Sequence, residues 1–152
     1  MRKAEAMSKA EGMSKAGSAS ERAAGSFDVK VTPQKPDTQI ARAANIGRLT
    51  IDKRFHGDLE ATGKGEMLAI QSDVPGSAGY VAMERVAGTL KGRSGGFILQ
   101  HSATMSRGAP ISSIVVVPDS GTGELRGISG RMTVTVATDG SHSYEFDFRF
   151  EP

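Results

Sequence analysis

Two residues able to move protons interrupt runs that are otherwise apolar. Glu84 lies in Gly79-Tyr80-Val81-Ala82-Met83-Glu84-Arg85-Val86 and shares parity with Tyr80 and Ala82. Gln100 and His101 follow Phe97-Ile98-Leu99, and His101 shares parity with Phe97 and Leu99. In a strand, every second side chain points to one face. Glu84 and His101 are therefore expected to face the same side as those apolar neighbours. In an apolar cavity, burial raises the pKa of a carboxyl and lowers that of an imidazole, which suits both to proton transfer. Glu84 and His101 are the candidate catalytic acid and base. Tyr80, Gln100 and His56 are candidate polar contacts to a bound molecule. The plainer alternative is an ion pair of Glu84 with Arg85, or with a cross-strand partner, on an outer face.

Other chemistry fails on spacing. His56, His101 and His142 are never two or four residues apart, so no local metal pair exists. The chain has no cysteine, which removes disulfides, thiolate metal sites and cysteine nucleophiles. Gly57-Asp58-Leu59-Glu60-Ala61-Thr62-Gly63-Lys64 has one residue too many between its glycines for a phosphate-binding loop, and Gly65 stands where Ser or Thr is needed. Gly121-Thr122-Gly123-Glu124-Leu125-Arg126-Gly127 is one residue too long for a dinucleotide fingerprint. Gly92-Arg93-Ser94-Gly95 lacks the Gly-x-Ser-x-Gly pattern of a nucleophile elbow. Neither a metal nor a cofactor is expected.

The elements that must position these residues are strands. Phe27, Val29 and Val31 alternate with Asp28 and Lys30. Leu49, Ile51, Lys53 and Phe55 alternate with Arg48, Thr50, Asp52 and Arg54. Further strands are predicted over about 59–71, 79–90, 96–105, 113–117 and 124–137. A last strand, after Asp139-Gly140, places Tyr144, Phe146, Phe148 and Phe150 on one face. Short turns such as Asp139-Gly140 join most of them, and a short helical turn is expected over Ala41–Asn45. Parallel pairing needs crossovers of a dozen or more residues, for which there is no room. The expected fold is all-β: a closed antiparallel barrel of about eight strands, whose interior suits side chains or one small ligand. A two-sheet sandwich is the alternative arrangement of the same strands. The domain is expected over residues 26–152. Residues 1–25, with the near-repeat Glu5-Ala6-Met7-Ser8-Lys9-Ala10 and Glu11-Gly12-Met13-Ser14-Lys15-Ala16, are expected to be a disordered or weakly helical extension.

The charge balance narrows the partners. The formal net charge of +2 arises before Ser26, and the 14 basic and 14 acidic residues that follow cancel. A nucleic-acid binder shows a basic face on its domain, so no nucleic-acid partner is expected. The longest apolar run, Ile114–Val117, is far too short for a membrane span, and no secretory signal opens the chain. A cytoplasmic protein is expected. The fourth to sixth strands carry apolar side chains on both parities, among them Val81 and Met83 against Tyr80 and Ala82. Strands apolar on both faces are usually covered on both, which predicts a homo-oligomer.

The segments LTIDKRFHGDLEATGKGEML, AGYVAMERVAGTLKGRSGGFILQHSATM, VVPDSGTGELRGISG and HSYEFDF resemble the bacterial domain-of-unknown-function family numbered 3224, over nearly all of residues 46–150. That resemblance implies a barrel like that of allene oxide cyclase, in a family with no defined biochemical role. The cyclase holds an oxidised fatty acid in its barrel and closes a ring mainly by confinement, with a carboxylate assisting. The resemblance makes Glu84 the candidate for such a part. Three functions remain open. One is a module binding a small apolar or amphipathic molecule inside the barrel. Another is a cofactor-free isomerase, cyclase or lyase using Glu84 and His101. The third is a structural oligomer with a filled core. Binding ranks first because it needs only a cavity, whereas catalysis also needs placement.

Overall fold

Phe27, Phe55, Phe97, Tyr144, Phe146 and Phe148 fall at alternate positions of their strands, and all are buried. A strand turning alternate residues to one side must cover that side. Here the strands cover it by closing on one another. The computed structural model describes residues 19–152. In chain order the elements are β1 (Glu21–Gln34), helix α1 (Gln39–Ala44), β2 (Gly47–Gly57), β3 (Leu59–Gln71), β4 (Ala78–Leu90), β5 (Arg93–Ser106), β6 (Ala109–Val116), β7 (Thr122–Gly123), β8 (Ile128–Val136) and β9 (His142–Phe150). All pairings are antiparallel. They run β4-β3-β2-β1-β9-β8-β6-β5, and β5 returns to β4. The result is the closed eight-stranded antiparallel barrel expected from the alternation, not a sandwich. The two-residue β7 lies outside the ring, against Gly95 and Gly96 of β5.

Three boundaries differ from the sequence expectation. β1 begins at Glu21, so residues 21–25 belong to the wall, where Ala23 is fully buried. Residues 1–18 of the expected extension lie outside the described residues. β5 and β6 join in two residues, Arg107 and Gly108, instead of a loop over 106–110. Their φ values of 49° and 90° give a turn twisted like the strands it joins. The strand expected from Glu124 begins only at Ile128. Gly123 and Gly127 have φ of 61° and 86°, a conformation L residues rarely adopt, and they fold residues 117–127 across the barrel end instead.

The two ends of the barrel differ. At one end Leu59, Leu90, Leu125, Tyr144, Phe55, Phe97, Phe146 and Phe148 pack with 0–2% of their surface exposed. The crossing segment supplies Leu125. Stacked Phe97–Phe146 and Phe146–Phe148 pairs, with centroids 5.4 and 5.3 Å apart, fill the axis. Toward the other end the inward row loosens. Val31 and Met105 are each 43% exposed, Tyr80 37% and Val136 61%. The wall is also uneven. β6 meets β8 through only Ile114↔Met132 and Val115↔Arg131, whereas β3 pairs with β4 from Leu59 to Gln71. On the outer face Leu68, Ile70, Val81 and Met83 are 48–52% exposed, so apolar groups do occupy both parities of β3 and β4.

Tyr144 clips the packed end. Its hydroxyl accepts from Leu59 N at 2.9 Å and donates to the His56 carbonyl at 2.9 Å, bracing the β2–β3 turn. Tyr144→Phe leaves these groups without that partner and is expected to cost about 1–3 kcal/mol. The loss should appear as a lower urea midpoint at unchanged slope; an unaltered midpoint would show that the clip contributes nothing.

Candidate functional site

Glu84 is fully buried on the inner face of β4, between Ala82 and Val86. His101, 6% exposed, is inward on β5 and pairs in register with Ala82. The two side chains meet: His101 Nε2 lies 2.8 Å from Glu84 Oε1. Parity thus brings together the two residues singled out as acid and base. A third group joins them. Lys53, inward on β2 between Ile51 and Phe55, donates from Nζ to the same Oε1 at 3.0 Å. Lys53 is 6% exposed, and its ammonium lies 4.7 Å from the Phe27 ring centre and 5.1 Å from that of Phe55. Burying an ammonium or a carboxylate costs several kcal/mol. The carboxylate and the two aromatic faces offset that cost for Lys53.

The electrostatics correct one expectation. Burial does push the Glu84 carboxyl up, but the His101 hydrogen bond and the Lys53 charge together outweigh it. The net position lies below the ordinary value. Glu84 is therefore a carboxylate at neutral pH, fitted to hold the two donors that face it.

Two glycines make room for it. A Cβ on Gly63 would stand 1.9 Å from Glu84 Oε2, and one on Gly65 would stand 2.0 Å from the Met83 carbonyl oxygen. β3 and β4 approach closely there because β3 carries no side chain at these two inward positions. Oε2 is buried and has no hydrogen-bond partner among the described residues.

The other sequence candidates lie elsewhere. Tyr80 has inward parity but stands at the open end, two positions beyond Ala82. Burial of part of its ring pushes its hydroxyl up, so it remains a donor at neutral pH. Gln100 points to the outer face, where it lines a shallow depression of about 520 Å³ with Leu68, Val81, Met83 and Ser102. His56 is also outward and contacts Asp28 Oδ2 at 3.0 Å across β1 and β2. Neither reaches the interior, because each has the opposite parity to the inward residues of its strand. Among the described residues no three His, Asp or Glu side chains converge to hold a metal. No helix among them is long and apolar enough to cross a membrane.

Fold and interior define a class: a closed antiparallel barrel, packed at one end, with a buried lysine–carboxylate–histidine centre at the base of its open half. The chain belongs to the family described as protein of unknown function DUF3224, whose model matches residues 23–148. A similar solved structure is a protein of unknown function from that family in Shewanella oneidensis MR-1. It is 45% identical, covers 88% of this chain and 98% of its own, and superposes with a TM-score of 0.81. No curated protein matches the chain.

Two outcomes follow. Gly63→Ala should cost about 1–3 kcal/mol through overpacking against Glu84. Gly79→Ala, whose Cβ would meet nothing nearer than 3.7 Å, should leave the thermal midpoint where it is. Equal effects of the two would rule out a special role for the space at Gly63.

Glu84 also carries a pH dependence. Because its folded pKa is depressed, its stabilisation is complete above the ordinary value of 4.5 and is lost as pH falls through the lower folded value. Urea midpoints measured from neutral pH to about pH 3 should fall in the native protein. Glu84→Gln should flatten that fall; an unchanged pH profile would remove Glu84 from the account.

Proposed function

We propose that the open half of the barrel binds a small apolar or amphipathic molecule, with the polar end of that molecule directed at Lys53 and His101. One observation carries this reading: the inward row changes from fully packed to 37–61% exposed just beyond the charged centre. Val31, Met105 and Val136 offer apolar wall, and Tyr80 offers a donor at the mouth. Pockets of this kind, apolar with a few placed polar groups, are the usual form of small-molecule sites. Glu84 is fully buried behind Lys53 and His101, so it acts as a positioning residue rather than as a contact. The resemblance to family 3224, which implies a barrel like that of allene oxide cyclase, favours the same use of the interior. A chain without cysteine gains nothing from an oxidising compartment, which favours a cytoplasmic setting.

A second reading, proton transfer on the bound molecule without a cofactor, is favoured by the 2.8 Å contact between His101 and Glu84. A histidine held by a carboxylate, at the edge of an apolar space, is a recurrent general acid–base arrangement.

The test is titration with an anilinonaphthalene sulfonate dye, which carries an apolar body and an anionic end. Binding should be saturable. Met105→Asp, which places a charge on the inner wall, should weaken it about tenfold or more, about 1.4 kcal/mol. Met83→Asp, on the outer face, should leave it unchanged. If Met83→Asp weakens the dye as much as Met105→Asp does, the dye sits on the outer face and the reading fails.

A further inference from the structure

Lys53 has chemistry that neither an anchoring role nor a Glu84–His101 pair uses. A lysine amine is a nucleophile once it gives up a proton. Here that amine lies at the base of an apolar half-barrel, 4.7 Å from the Phe27 ring centre and 5.1 Å from that of Phe55. A proton acceptor, Glu84 Oε1, lies 3.0 Å from Nζ, and a second acid–base group, His101 Nε2, lies 2.8 Å from that same oxygen. A nucleophile, a base beside it and a proton donor linked to that base are what condensation with a carbonyl requires. Lys53 and His101 each keep 6% of their surface exposed, whereas Glu84 keeps none. Of the three, only Lys53 and His101 thus keep surface for contact.

We propose that Lys53 captures the carbonyl group of an apolar aldehyde or ketone as a Schiff base, a proposal that rests on binding in the open half. Nζ passes a proton by way of Glu84 Oε1 to the Glu84–His101 pair, and its lone pair attacks the carbonyl carbon. The C–N bond forms as the carbonyl π pair moves to oxygen, which takes that proton from the pair to give a protonated carbinolamine. Nitrogen then releases a second proton to the Glu84–His101 pair. The pair returns a proton to the hydroxyl, which leaves as water while C=N forms. One carbonyl and one amine give one imine and one water, with no oxidant or reductant. Apolar rather than hydrated carbonyls are selected, because the inward residues toward the open rim include Val31, Met105 and Val136.

The experiment treats the full chain with hexanal and sodium cyanoborohydride, then maps the alkyl adducts by peptide mass spectrometry. Labelling at Lys53 should exceed that at the exposed Lys30, Lys64 and Lys91 by about tenfold, reflecting pre-positioning. Glyoxylate, a hydrated polar aldehyde, should show no such preference. Bound dye should suppress the Lys53 adduct and spare the others. Glu84→Gln should slow Lys53 labelling alone, which a merely structural carboxylate would not do. Labelling of Lys53 no faster than of Lys64 overturns the proposal. If the dye still binds the open half in that case, only the Schiff base falls; if the dye does not bind there either, the binding reading falls as well. Mapping is done on the native chain, so the result does not depend on a Lys53 variant folding.

Discussion

One oxygen atom, Glu84 Oε1, accepts from both Lys53 and His101, and much of the barrel is arranged around that shared acceptor. A carboxylate with no solvent contact is tolerable only if its charge is matched at hydrogen-bond range. The match comes from β2 on one side and β5 on the other, with β3 between β2 and β4. The register of four consecutive strands must therefore hold. A slip by one residue of β2, β4 or β5 would turn Lys53, Glu84 or His101 to the outside, and a slip of β3 would bring side chains in where Gly63 and Gly65 leave room. The missing side chains at Gly63 and Gly65 belong to the same constraint, since they let β4 bring the carboxylate in against β3.

Around this centre the interior divides into a filled half and an accessible half. Aromatic stacking along the axis makes the filled half rigid and leaves it no room for a guest. The charged centre sits at the boundary, where desolvation strengthens its internal bonds and where Lys53 and His101 still keep a small exposed surface. This division explains why abundant phenylalanine and interior polar residues occur in one small barrel. The phenylalanines fill one half, and the charged residues sit where that filling stops.

Much of this was legible from alternation. Tyr144, Phe146, Phe148 and Phe150 declare a strand with one buried face, and the parity of Glu84 with Ala82, and of His101 with Leu99, places both inside. Lys53 carried the same signal, since it alternates with Ile51 and Phe55. An isolated lysine is normally solvated, however, and only the pairing of β2 with β3 and of β3 with β4 reveals its partner. Gln100 and His56 fail by the same rule, each lying one residue from an inward neighbour. The segment over 117–127 has no periodicity to read, because its form is set by left-handed glycines and by packing of Leu125. The turn at Arg107-Gly108 was hidden by flanking Ser106 and Pro110, which look like loop on composition. The carboxyl's lowered pKa was illegible for a related reason: burial can be inferred from parity, but the two compensating donors come from separate strands.

The short β6–β8 ladder has a mechanical consequence. A ring yields first at its weakest seam, and here one seam consists of two residue pairs at the level of Ile114 and Val115. Beyond them, Ala109–Ser113 and Thr133–Val136 run toward the open end with no ladder joining them. The barrel behaves less like a pipe than like a cuff with a slit. Parting of the wall there leaves each strand held by its outer neighbour, since β6 pairs with β5 and β8 with β9 along their full lengths.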